Sequence, residues 1–113
     1  MKAKPKYFEP RPAGSGNVGQ HPVIVLTNPD AYGRVKIATM SHSHPHNPPT
    51  KPASIYGLPI DPVKGESTVN VGEPYQIHIS FLRANTPHTR MDLAHFIELK
   101  NEIWRNSPQS FTS

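Results

Sequence analysis

Apolar residues fall along this chain in short, separated bursts whose period changes once. Residues 22–26 read PVIVL, a β-branched run too short for a helix, and predict a buried strand with proline at its first position. Residues 27–33, TNPDAYG, are dense in turn formers. Residues 34–41, RVKIATMS, set Val35, Ile37, Thr39 and Ser41 against Arg34, Lys36, Ala38 and Met40. That period of two predicts a strand with one face inward, and the two strands together predict a long β-hairpin. STVNV at 67–71 predicts a short strand, GEPY at 72–75 a turn, and QIHISFL at 76–82 a third full strand with Ile77, Ile79 and Phe81 inward. From Met91 the period becomes that of a helix. Over 91–106, Leu93, Phe96, Ile97, Lys100, Ile103 and Trp104 recur at three- and four-residue spacing, with Glu98 and Glu102 on the wet side. Thr89 and Asp92 form a capping pair, and Asp92 and Arg105 suit the positive and negative helix ends.

Proline changes the picture between the strands. The chain has 14 prolines in 113 residues, and 42–66 alone holds Pro45, Pro48, Pro49, Pro52, Pro59 and Pro62. Such a segment excludes a helix and a central strand. It predicts a long ordered loop lying across the strands, anchored by Ile55, Tyr56, Leu58, Ile60 and Val63. Residues 1–17, rich in Pro, Gly and Lys, predict a flexible arm that Tyr7 and Phe8 could pin down. Residues 18–106 then form one small domain, and 107–113 a disordered tail. Hydrophobic residues make up 35% of the chain, so the core must be small.

Composition removes several functions. No apolar run of about 18 residues exists, so no membrane span is expected. There are no cysteines, which excludes a disulfide framework, a thiolate nucleophile and a Cys-type zinc site, and points to an intracellular, cytoplasmic protein. The net charge of +4 is mildly basic, with Lys2, Lys4, Lys6 and Arg11 against Glu9 at the N-terminus. It allows an RNA or phosphate partner without requiring one.

Histidine is the richest candidate chemistry. His42, His44 and His46 alternate in SHSHPH, and in an extended segment they would face one way as neutral imidazoles for one metal ion. The ordinary alternative is the polar start of a solvated loop, and no cofactor is required by any motif. His78 falls on the polar side of its strand with Gln76 and Ser80, as a rim residue would. Tyr32, Tyr56 and Tyr75 lie in or beside loops, where they could stack on bases or cover the core.

Several strands, a long loop and a terminal helix predict a mainly β fold, a small partly open barrel with one C-terminal α-helix. GQHPVIVLTN at 19–28 resembles the G-x-R-P-v-l-V-l-S-N strand of the PemK/MazF toxin family. GRVKIATMS at 33–41 is similar to that family's second core strand, and STVNV with PYQIHISFLR to the strands that follow. The resemblance covers about residues 19–105 and implies an SH3-like barrel, usually a homodimer, that cleaves single-stranded RNA without a metal. It places His21 where the family has its catalytic arginine, and Ser41, or Thr39 on the same side, where the family has its hydroxyl. The family's apolar opening strand is absent, and a Pro-rich segment stands in its place. With histidine at 21, Arg34 and Arg83 become the candidate cations on phosphate, and His21, Ser41 and His42 a candidate acid–base set for RNA cleavage. The expected function is RNA binding or metal-independent endoribonuclease activity. The alternatives are a protein-interaction module using the Pro-rich loop 42–66, and metal binding by the histidine loop.

Overall fold

The computed structural model of the chain describes residues 1–11, 16, 19–41, 49–58, 60, 62–63, 65–83 and 91–111. Among the described residues, six strands occur in the order β1 (Lys2–Ala3), β2 (His21–Val25), β3 (Arg34–Ser41), β4 (Thr50–Pro52), β5 (Thr68–Asn70) and β6 (Tyr75–His78), followed by one α-helix, α1 (Leu93–Asn106). All pairings are antiparallel, in the order β1-β2-β3-β5-β4 with β6 also on β3. The fold is therefore mainly β, and among the described residues its sheet is not closed into a barrel. No helix among them is long and apolar enough to cross a membrane. The chain divides into two compact units, Met1–Thr39 with Tyr75–Thr89 and Met40–Pro74 with Arg90–Ser113.

The first unit is built on the hairpin that the apolar pattern predicts. Register pairs Val23 with Thr39 and Val25 with Ile37 on one side of β3, and Val35 with Ile77 through β6. Cross-strand partners share a face, so the alternation in each strand points Val23, Val35, Ile37 and Ile77 into one core with Ala3 and Phe8. Burying a side chain such as Ile37 or Ile77 contributes about 1.5–3 kcal/mol. Tyr7, Val25, Tyr75 and Leu82 close the edges of this cluster.

Residues 1–9, expected as an arm, are part of this unit. Lys2 and Ala3 pair with Pro22 and His21, and Lys2 also exchanges backbone hydrogen bonds with Arg83 at 2.7 and 2.8 Å. A two-residue strand is too short to leave a period in the sequence, which is why composition alone suggested a loose segment. The strand expected over 76–82 stops at His78. There the chain enters a 3-10 turn, Ile79–Phe81, because the His78 ring accepts the Ser80 N–H and the Ile79 N–H goes to the Gly33 carbonyl. Ile79 and Phe81 are consequently exposed instead of buried.

In the second unit, Met40 and Ser41 at the end of β3 pair with Val69 and Thr68 of β5, and β4 pairs with β5 on its other edge. Pro52 closes β4, an edge position that a residue without an N–H tolerates. A 3-10 turn, Ala53–Tyr56, follows and is stopped by Gly57 at φ 74°. Tyr56 is the loop anchor that the structure buries. Leu58 is half-buried, whereas Ile55, Ile60 and Val63 are exposed.

The helix forms close to where its period predicts, but it turns a different stripe inward. Leu99 and Ile103 are buried, while Leu93, Ile97 and Trp104 are exposed. The sequence holds two apolar stripes, 96-99-103 and 93-97-104, roughly 100° apart on the helix. Polar anchors select the first: Asn106 Nδ2 donates to the Val71 carbonyl at 3.1 Å, Glu102 meets Lys51 at 3.9 Å, and His95 lies against Gly57. Thr89 lies outside the described residues; Asp92 is the N-cap residue, without a side-chain cap hydrogen bond, and its carboxylate engages His95 Nδ1. The expected tail begins with a 3-10 turn, Pro108–Phe111.

Candidate nucleic-acid interface

Arg34 is presented by a turn that the sequence encodes residue by residue. The Asp30 carboxylate accepts the N–H groups of Tyr32 at 2.8 Å and Arg34 at 3.0 Å, and these bonds, with the nearby Arg34 charge, hold its carboxyl below the ordinary range. The Gly33 N–H closes the turn on the Asp30 carbonyl at 3.1 Å, with Gly33 at φ 76°. Arg34 therefore leaves the turn in a fixed direction. Its Nε donates to Glu9 Oε2 at 2.7 Å, which raises the pKa of the guanidinium, and its charged carbon lies 6.0 Å from the centre of the Tyr32 ring. Tyr32 itself is 75% exposed.

Across the sheet from Arg34 stands His78, and across from Lys36 stands Gln76. Arg34 and Lys36 are two apart on β3, so all four share one face. Beyond His78 the 3-10 turn presents Phe81. The Phe81 ring stacks on Tyr7 with centroids 4.0 Å apart and planes 4° from parallel, and it meets His78 edge-on at 6.4 Å. Lys6 Nζ lies 5.1 Å from the centre of the Tyr7 ring. Lys6, Tyr7, Phe81, His78, Arg34 and Tyr32 thus form a continuous aromatic and basic strip within the first unit, in which Phe81 is 38% exposed.

The residues singled out from sequence divide differently. His21 is half-buried and pairs with Ala3, and Thr39 pairs with Val23, both in the first unit. Ser41 belongs to the second unit, where it pairs with Thr68, whose hydroxyl donates to the Ser41 carbonyl at 3.2 Å. Arg83 Nη1 donates to the carbonyls of Ser80 at 2.9 Å and Leu82 at 3.0 Å. Those bonds close the turn that carries Phe81. His42, His44 and His46 lie outside the described residues, and no group of three or more potential metal ligands occurs among the described ones.

Sequence reasoning named Arg34 and Tyr32 but missed that Tyr7, Glu9 and Phe81 join them. Phe81 carries the period of a core residue, and Tyr7 lies 74 positions away in a segment without a period. No spacing rule links two such places. No protein-family model, curated protein or solved structure matches the chain.

Proposed function

We propose that this protein binds single-stranded RNA through the strip formed by Lys6, Tyr7, Phe81, His78, Arg34 and Tyr32. The observation that carries this reading is the interleaving of rings with cations: bases stack on aromatic faces while Arg and Lys follow the phosphates. The net charge of +4 favours the same class of ligand. The likeness of residues 19–105 to PemK/MazF proteins points the same way, toward an SH3-like barrel working on RNA in the cytoplasm. Cleavage is a further step of this reading, with His21 as its acid–base candidate, Thr39 of the same unit as its hydroxyl candidate, and Arg83, in addition to Arg34, as a candidate cation. Fluorescence anisotropy with a labelled ten-nucleotide oligouridine tests the binding. Phe81→Ala and Arg34→Gln should each weaken it severalfold at low salt, and equal binding by both variants would remove the strip from the account. Loss of oligonucleotide cleavage in His21→Ala or Thr39→Ala, with folding intact, tests the catalytic step.

A second reading has its own observation. Ile55, Ile60 and Val63 of the Pro-rich segment are exposed, Val63 to 90%. A loop that presents aliphatic side chains to water fits a protein-binding module. Under this reading no RNA is bound, and substitutions within 48–62 abolish capture of a protein partner.

A further inference from the structure

Arg34 is the strip's best phosphate ligand, yet a carboxylate already sits on it. Glu9 approaches through one oxygen, Oε2, to one nitrogen, Nε, at 2.7 Å, a single bond and not the two-bond fork that guanidinium can make. Both side chains are substantially exposed, 40% for Arg34 and 48% for Glu9, so water and salt screen the pair and separating it costs little. Glu9 does not arrive by chance. Its backbone exchanges two hydrogen bonds with Gln76, at 2.8 and 2.9 Å, and Gln76 neighbours His78 on the face that carries the strip. The carboxylate is thereby tethered beside the guanidinium even when the two part, at a high effective concentration. Among the described residues, the other titratable groups around Arg34 are Asp30, whose Oδ1 is occupied by two backbone N–H groups, Tyr32, His78 across the sheet, and Lys36 two positions along β3.

We propose that Glu9 is a built-in competitor for RNA phosphate at Arg34. This rests on the RNA-binding reading of the same strip. A phosphodiester offers two anionic oxygens to the guanidinium fork, whereas Glu9 uses one of its carboxylate oxygens, so an incoming strand displaces the carboxylate and takes its place. The competitor lowers affinity for every strand equally. A strand that also stacks on Phe81 and Tyr32 keeps measurable affinity after that loss, because stacking adds to what the phosphate contact supplies.

The test is oligouridine binding by anisotropy in a set of full-length variants, each checked for an unchanged melting temperature. Glu9→Gln keeps the backbone bridge to Gln76 and should tighten binding about twofold to fivefold, the range an exposed ion pair can contribute. Glu73→Gln removes the same charge at an exposed site outside the strip, and should give a smaller gain. In an Arg34→Gln background the gain from Glu9→Gln should fall to that of Glu73→Gln. If Glu9→Gln gains no more than Glu73→Gln in the wild-type background, or keeps its full gain without Arg34, the competitor is wrong while RNA binding stands. If neither the wild-type chain nor any variant binds the oligonucleotide, the RNA-binding reading falls and the competitor with it.

Discussion

Each unit of this protein sets a histidine ring against a glycine in the left-handed region, and the two arrangements differ in what the ring holds. In the first unit His78 lies on Gly33, and its Nδ1 accepts the Ser80 N–H at 3.1 Å. The ring is a backbone cap, and it ends β6 and starts the turn that carries Phe81. In the second unit His95 lies on Gly57, and its Nδ1 meets the Asp92 carboxylate. That ring joins two side chains on the first turn of α1. A cap of the first kind works only while Nδ1 is unprotonated, because a protonated nitrogen cannot accept. A pair of the second kind is strengthened when the imidazole carries charge. The same residue type beside the same backbone conformation thus fixes a chain path in one place and stabilises a helix start in the other.

The largest effects should come from the cores beside the two rings. Ile77 precedes His78 and is fully buried, and Leu99, one turn after His95, is equally so. Ile77→Ala and Leu99→Ala should each cost about 2–5 kcal/mol in urea denaturation. Leu93, 71% exposed on the outer stripe of the same helix, should cost less than about 1 kcal/mol as alanine. A Leu93→Ala loss equal to that of Leu99→Ala would mean that the helix turns its other stripe inward.

Next come the glycines. A Cβ at Gly33 would stand 2.7 Å from His78 Nε2, and one at Gly57 2.9 Å from His95 Nδ1. Alanine at either position also meets a positive φ, so each should cost more than about 1 kcal/mol. The two should respond differently to relief. His95 ends in a side-chain pair and can yield, so His95→Ala should recover part of the Gly57→Ala loss. His78→Ala removes the Ser80 cap as it removes the clash, so the double variant with Gly33→Ala should recover little. Thermal melts of the four single and two double variants separate these cases.

The hairpin and the helix were legible because Val23 and Val25, and Val35 and Ile37, repeat at two and Phe96 and Ile103 at helical spacing; Val23, Val35, Ile37 and Ile103 are buried, and Val25 and Phe96 half-buried. Which helical stripe goes inward was not legible. It depends on Asn106 reaching Val71, a contact 35 residues apart that no local pattern reports. The end of β6 was hidden for a related reason, since Ile79 and Phe81 continue the alternation of Ile77 and only the ring of His78 turns the chain away. At the candidate interface, cation chemistry marked Arg34 but the partners that define it, Glu9 and Phe81, came from segments read as an arm and as core.

The finest distinction between the units concerns two carboxylates, both held below their ordinary range but for different reasons. Asp30 is lowered chiefly by backbone N–H groups of Arg34 and Tyr32, and Asp92 chiefly by its hydrogen bond with His95. A folded-state pKa below the unfolded value means that the ionised group stabilises the fold. That contribution is present above the unfolded value and lost as pH falls through the lowered one. Asp30→Asn and Asp92→Asn should therefore both lower the melting temperature at neutral pH, and both differences from wild type should close on acidification below about pH 4. The partner separates them. In a His95→Ala background Asp92→Asn should lose most of its effect at neutral pH, since the largest cause of the shift has gone, while Asp30→Asn keeps its effect whatever occupies position 95. An Asp92→Asn loss that persists undiminished without His95 would place the carboxylate's contribution on the helix dipole instead of the ring, and would make the second unit's histidine a packing residue and not a partner.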